Sequence, residues 1–313
     1  MIAEPMRLLV IAPSHFAPLE LLRREAPDVE LIVGTDAESL RGEASACDAI
    51  LVAPRYGGVI TDLWLQIRPA RWIHTLAAGV EFLPFDLLRR SEIVVTNGRG
   101  LYAEALGEFA IAAMLWFAKD LRRLAVNQEA RRWEPYTVER LAGKTAGIIG
   151  YGGIGRAVGT RAAALGMNVI GVGRRQEPGE PTIEDVLARA DYVVMSVPLT
   201  PRTQRLLSRE RIAKMQPHAV LINVGRGRTV DENALVDALR ANAIRGAALD
   251  VFEVEPLPPE HPLWTLDNVL ISPHTADHTS DSHVRAMQFF IENLRRFRRG
   301  EPLENVVDKV EQY

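Results

Sequence analysis

Three ionisable side chains lie just past the ends of three successive apolar runs in the last third of the chain. Arg226 follows AVLINVG, Glu255 follows GAALDVF, and His274 follows NVLISP. If these runs are neighbouring parallel strands, all three side chains open onto the carboxyl edge of one sheet, where open α/β folds place their ligands. Each type has a distinct use. An imidazole titrates near neutral pH and can pass a proton. A carboxylate bonded to its other ring nitrogen favours the imidazolium and fixes the ring. A forked guanidinium holds a carboxylate and stabilises negative charge developing on a carbonyl oxygen.

Upstream, Gly150-Tyr151-Gly152-Gly153-Ile154-Gly155 closes one strand-like run, TAGIIG, and opens a helical one, RAVGTRAAALG. That context converts a weak G-x-G-x-x-G string into a dinucleotide fingerprint. Gly150 permits the tight turn, Gly152 lets a pyrophosphate reach the backbone, and Gly155 lets helix and strand pack closely. The helix N-terminus then supplies N–H groups and partial positive charge to the phosphates, and Gly153 and Ile154 are counted with the cofactor-binding residues. A site selecting NAD carries an acid about twenty residues on, at the ribose 2′-hydroxyl. Here NVIGVG is followed by Arg174 and Arg175 instead. Two guanidiniums suit a 2′-phosphate, so NADP(H) is expected over NAD(H). Beside such a nucleotide, a cation, a carboxylate and an imidazole are what hydride transfer to a keto acid requires.

The elements that must position these groups can be read from alternation. RLLVIAP, VELIVG, AILVAP, RWIHTLA and IVVTN are strand candidates in the first ninety-odd residues, with LELLRREAP and DAESLRGEA as helices between them. From Lys144 six more strands follow: TAGIIG, NVIGVG, YVVMSV, AVLINV, GAALDV and NVLISP. Near-continuous apolar strands separated by helix-length spacers indicate parallel sheets covered on both faces. The expected fold is therefore α/β, with two doubly wound parallel-sheet domains. Residues 98–281 form the dinucleotide-binding domain. Residues 1–97 form the other, with an amphipathic helix in 282–313 returning to complete it. Its Gly stop is Gly300, and PLENVVD reads as a short tail. A long apolar helix is expected from Tyr102 to about Leu124, wide enough to serve as an interface. The crossings near Asn97-Gly98 and around Asp281 are the expected hinges for closure.

At 313 residues the chain exceeds what one core usually serves. A formal charge of -3 argues against nucleic acid or an anionic membrane as the main partner. One cysteine, Cys47, rules out an intrachain disulfide and fits a reducing, cytoplasmic setting; a buried inert thiol is expected there. No segment approaches the ~20 apolar residues of a membrane helix, and no signal-peptide pattern opens the chain. The histidines other than His274 lack ligand-like spacing with Cys or carboxylates, so no metal is expected.

Taken together, GIIGYGGIGRAVGTRAAALGMNV, ADYVVMSVPLTPRTQRLL, INVGRGRTVDENALVDAL, GAALDVFEVEPLPPEHPLW and NVLISPHTA resemble the D-isomer-specific 2-hydroxyacid dehydrogenases. The resemblance spans nearly the whole chain and implies that Arg226, Glu255 and His274 are catalytic. It also implies a flavodoxin-like substrate domain beside a Rossmann cofactor domain. Asp250 and the Val224 carbonyl would take the nicotinamide carboxamide, and Pro198 and Thr203 would line the adenosine and phosphate end. Backbone N–H groups of the loop containing Ala78, Gly79 and Val80 would bind the substrate carboxylate with Arg226 and His274. Tyr56, Tyr102 and Trp264 are candidates for the side-chain pocket. The reaction so implied is reversible reduction of a 2-keto acid to the D-2-hydroxy acid, in a homodimer. A formate dehydrogenase of this superfamily would carry an amide in place of Glu255. Glyoxylate or hydroxypyruvate reduction with NADPH remains open as the specific activity, as does a nucleotide-sensing binding protein on the same scaffold.

Overall fold

The computed structural model describes residues 5–174, 177 and 179–313, apart from the side chain of Arg55. The chain divides into two compact units, Met1–Tyr102 with Ser280–Tyr313, and Ala103–Thr279.

In the first unit, five short apolar runs form β1 (Arg7–Ile11), β2 (Glu30–Gly34), β3 (Ala49–Val52), β4 (Trp72–Thr75) and β5 (Val94–Thr96). They pair in parallel in the order β2-β1-β3-β4-β5. Side chains alternate across the sheet. Leu9, Ile11, Ile50, Val52, Ile73 and Val95 join one core layer, while Leu8, Val10, Leu51 and Trp72 join the opposite layer. Neither face is left to solvent, which is why the strands read as unbroken apolar runs. The helix Ser282–Arg299 supplies Ala286, Met287, Phe290, Ile291 and Leu294 to the second layer and stops at Gly300, whose φ of 70° suits a residue without Cβ. Beyond it the chain does more than trail off. Val306 bridges Thr96 in antiparallel fashion, and the Val307 N–H donates to the Val95 carbonyl at 2.8 Å, extending the β5 edge.

The second unit holds β6 (Thr145–Ile149), β7 (Asn168–Val172), β8 (Tyr192–Met195), β9 (Val220–Asn223), β10 (Gly246–Leu249) and β11 (Val269–Ile271). All pair in parallel, in the order β11-β10-β9-β8-β6-β7. The chain runs outward from β6 to β7 and then crosses back to β8, so the strand order reverses between β6 and β8. A crevice opens outside the carboxyl ends at such a switch point. The three runs ending near Arg226, Glu255 and His274 are β9, β10 and β11, side by side.

Two helical expectations are corrected. The apolar stretch from Tyr102 forms two helices, Ala103–Ala118 and Leu121–Glu129. Asp120 breaks it, with φ 47° and its carboxylate accepting the Arg123 N–H at 3.3 Å. A short acidic side chain tolerates the left-handed conformation and starts a new helix, which hydrophobic periodicity does not register. In DAESLRGEA the helix spans only Ala37–Leu40, capped by Asp36. Cys47 is buried against the first unit's core, and burial pushes its thiol up to about 11. No helix among the described residues is long and apolar enough to cross a membrane.

One buried polar cluster in the first unit has a measurable cost. His74, central in β4, is fully buried, with Nδ1 2.7 Å from Thr96 Oγ1, the same oxygen that accepts from Trp72 Nε1. Its Nε2 has no partner among the described residues. Burial pushes the ring down to about 3. Above pH 6.5 the ring is neutral in both folded and unfolded chains. Between 6.5 and about 3 only the unfolded chain takes up the proton, so stability falls with pH at up to ~1.4 kcal/mol per unit. Urea midpoints measured from pH 7 to pH 4 should therefore decline less steeply in His74→Asn than in the parent. Parallel declines would refute this account.

Candidate active site

The registers Leu249↔Asn223 and Leu249↔Ile271 bring the ends of β9, β10 and β11 level, so the three loops leave the sheet side by side. Arg226 sits on the β9 loop between two glycines. A Cβ on Gly225 would come 2.8 Å from the Val197 carbonyl oxygen, and one on Gly227 would overlap the Phe252 carbonyl group. Only glycine lets this loop press against both neighbouring loops. The Arg226 carbonyl accepts from Asn223 Nδ2 at 3.1 Å and Thr229 Oγ1 at 2.6 Å, and its Nη1 donates to the Gly225 carbonyl at 2.7 Å.

Glu255 and His274 meet across the next two loops. Oε1 of Glu255 accepts the Phe252 N–H at 2.9 Å, while Oε2 lies 2.7 Å from His274 Nδ1. His274 occupies the left-handed region at φ 55°. Asp250, 1% exposed, holds that turn: its Oδ1 accepts the N–H groups of Thr275 at 2.9 Å and Ala276 at 3.1 Å, and the Ser272 hydroxyl at 2.6 Å. Burial works to raise the Glu255 carboxyl, but the His274 and Phe252 hydrogen bonds and the nearby Arg226 charge hold it below its ordinary value. The bond to Glu255 raises His274 above its ordinary value, with Asp250 assisting and with burial and Arg226 opposing. The arrangement strengthens the ring's hold on a proton, with Nδ1 committed to Glu255.

At the switch point, Gly150 takes φ 102°, and a Cβ there would come 2.7 Å from the Ser196 carbonyl carbon at the end of β8. Gly155 packs on the Gly150 carbonyl, where a Cβ would overlap the oxygen. Gly152, by contrast, would point a Cβ into open space, and it precedes the helix Gly153–Ala164 without a side-chain cap. The first-turn donors Gly153, Ile154 and Gly155 are thus left for an anion. This cradle fits a dinucleotide. Nearby, Thr203 Oγ1 donates to the Pro198 carbonyl at 2.6 Å and accepts the Thr200 N–H at 2.8 Å, so its hydroxyl closes the loop after β8. Val224 is buried, and its N–H donates to the Met195 carbonyl at 3.0 Å. Arg174 is exposed just past β7, whereas Arg175 lies outside the described residues. Among the described residues no three His, Cys, Asp or Glu side chains cluster as metal ligands do.

In the first unit, the loop after β4 has its carbonyls taken. Leu76 accepts from the Tyr102 hydroxyl, Ala77 from the Gly98 N–H at 2.8 Å, and Ala78 from Asn97 Nδ2 at 2.6 Å. No acceptor among the described residues takes the N–H of Ala78, Gly79 or Val80. Of the aromatic candidates, Tyr56 packs against the first unit's core, and Trp264 donates Nε1 to the Pro258 carbonyl at 2.9 Å. Sequence reasoning missed Gly225 and Gly227, though their place around Arg226 was a visible signal. It also missed the turn-holding use of Asp250, for which no local signal exists.

Residues 111–276 match the family described as D-isomer specific 2-hydroxyacid dehydrogenase, NAD binding domain. The chain is 32% identical to a glyoxylate reductase of Korarchaeum cryptofilum, over 97% of this chain and 93% of that one. It is 33% identical to a D-3-phosphoglycerate dehydrogenase of Methanocaldococcus jannaschii over 97% of its own length, but spans only 59% of that protein. Among solved structures, a D-isomer specific 2-hydroxyacid dehydrogenase from Xanthobacter autotrophicus, in complex with NADPH and MES, superposes with a TM-score of 0.84. The identity is 30%, and the match covers 99% of this chain and 100% of that one.

The contact at Gly227 yields a direct test. Gly227→Ala places a methyl against backbone that cannot swing aside, so the variant should lose about 3 kcal/mol, the upper end of overpacking costs. Urea denaturation measures this, and a variant as stable as the parent would show that the two loops are not in contact.

Proposed function

The chain belongs to the D-isomer specific 2-hydroxyacid dehydrogenase family, and from that premise we propose that it reduces a 2-keto acid reversibly to the D-2-hydroxy acid with NADPH. The observation that carries this reading is the 2.7 Å contact between Glu255 and His274, on the loop next to Arg226. A bound nicotinamide cofactor supplies the hydride. Its pyrophosphate is assigned to Gly150, Gly152, Gly153, Ile154 and Gly155, and its carboxamide to Asp250 and the Val224 carbonyl.

His274 gives its Nε2 proton to the forming alkoxide, and Glu255 stabilises the imidazolium before that transfer. Arg226 holds the substrate carboxylate and draws charge onto the carbonyl oxygen. The N–H groups of Ala78, Gly79 and Val80, unclaimed among the described residues, suit a carboxylate. Oxidation in the reverse direction requires neutral His274. Reduction therefore persists above the ordinary imidazole range and falls on the alkaline side.

NADPH preference is supported by Arg174 past β7, where an NAD site would carry an acid. Small 2-keto acids such as glyoxylate or hydroxypyruvate are the favoured substrates, since glyoxylate reductases recur among the relatives. A panel of small, branched and aromatic 2-keto acids assayed with both cofactors tests the whole reading. NADPH should be the more efficient donor, and His274→Ala should lose about 10²–10⁴-fold in turnover while still binding cofactor. No turnover on any keto acid, or near-normal turnover in the variant, would overturn it.

A homodimer belongs to the same reading. The helix Ala103–Ala118 packs inside its own unit, but Leu121–Glu129 buries only Asn127. Trp133 is 97% exposed, with Leu124 and Val138 exposed nearby. Such apolar exposure marks an interaction surface. Glu134 and Glu139 are paired within the chain to Arg123 and Arg245, while Glu129, Arg131, Arg132 and Arg140 set both signs of charge around the exposed apolar side chains, which suits a two-fold contact. Sedimentation equilibrium at micromolar concentration should give a dimer, shifted towards monomer by Trp133→Glu. A monomeric parent would reject this.

A further inference from the structure

A second carboxylate–imidazole pair lies in the loop system that carries Glu255. Glu232 opens the helix Glu232–Arg240, five residues after Gly227. Its Oε2 accepts the Glu253 N–H at 3.0 Å, and its Oε1 lies 3.3 Å from Nε2 of His261. The other ring nitrogen, Nδ1, accepts the Leu263 N–H at 3.4 Å. That bond needs a bare Nδ1, so the proton sits on Nε2 and faces Glu232. The two side chains are mostly covered, at 20% exposed for His261 and 12% for Glu232.

The segment they hold is short. Glu253 is also gripped by Arg205 Nη2 on its carboxylate and by Arg228 Nε on its carbonyl, each at 3.4 Å. Immediately before it, the Phe252 N–H donates to Glu255 Oε1, and the Phe252 carbonyl abuts Gly227. Glu255 therefore takes its position from residues 252 and 253, which are fixed from the side of the chain that bears Arg226.

We propose that Glu232 and His261 are positioning residues that set the Glu255 carboxylate against His274. This rests on the reading of His274 as the proton donor. One carboxylate serves two donors here, Glu253 N–H and His261 Nε2–H. An amide in its place has a single acceptor, and its NH2 would face one of those donors. Release of Glu253 loosens the 252–255 turn, lengthens the Glu255–His274 contact and leaves His274 with Arg226 opposing its charge and Asp250 favouring it.

The test is the ring titration of His274 by NMR of carbon-13-labelled histidine, assigned by its loss in His274→Ala. In Glu232→Gln the midpoint should fall by about half a pH unit or more, equal to a fewfold weakening of the imidazolium. The alkaline limb of keto acid reduction should move down with it, while NADPH affinity measured by calorimetry stays within about twofold. His261→Leu should act likewise. His261→Gln keeps a donor towards Glu232 and should restore the parental midpoint. Variants that melt earlier yet titrate His274 at the parental midpoint would reduce the pair to a structural staple and overturn the proposal. If the parent turned over no keto acid, the functional reading would fall, but the ring titration would still decide this one.

Discussion

The hydrogen bond between Glu255 and His274 is the contact to which the rest of the second unit answers. A carboxylate 2.7 Å from Nδ1 does two things at once. It engages Nδ1, and it raises the ring above its ordinary value by favouring the protonated form. The surrounding charges are arranged around that outcome. Arg226 lowers the Glu255 carboxyl and opposes the imidazolium, while buried Asp250 supports it. The ring stays responsive because the cation and the anions pull in opposite directions. In the proposed reaction that balance lets the ring both give and take a proton.

Holding that bond requires three loops from three strands to emerge level and close. Parallel pairing of β9, β10 and β11 makes them level. Glycine makes them close, because the β9 loop touches its neighbours through backbone at Gly225 and Gly227. The same device recurs at the switch point, where Gly150 meets the end of β8 and Gly155 meets the Gly150 carbonyl. Glycine costs chain entropy at each position, and each time the return is an approach no side chain would permit. Asp250 completes the frame by bending the chain at His274 into a left-handed turn and satisfying two backbone donors there.

The first unit solves a different problem. Its sheet is closed on both faces, partly by a helix from the far end of the chain, and it buries a Trp72–Thr96–His74 cluster along with its apolar layers. An imidazole whose charged form is disfavoured by burial there contrasts with one whose charged form a carboxylate favours in the second unit. Environment alone separates the two histidines. The loop after β4 adds backbone donors whose carbonyls are already engaged, leaving N–H groups as its available polar surface.

All eleven strands among the described residues were legible in the linear chain, because a sheet covered on both faces demands unbroken apolar runs of strand length. So was the trio Arg226, Glu255 and His274, since charged groups just past such runs can only sit at a sheet's edge. The glycine cradle was legible for the same reason, its spacing dictated by the turn it makes. Tertiary structure alone decided the strand order, the break at Asp120, the use of Asp250 as a turn-holder and the pairing of Glu232 with His261. These depend on which donor meets which acceptor across tens of residues, or on a single left-handed φ. Hydrophobic pattern records how much of a segment is buried, not which groups it will face.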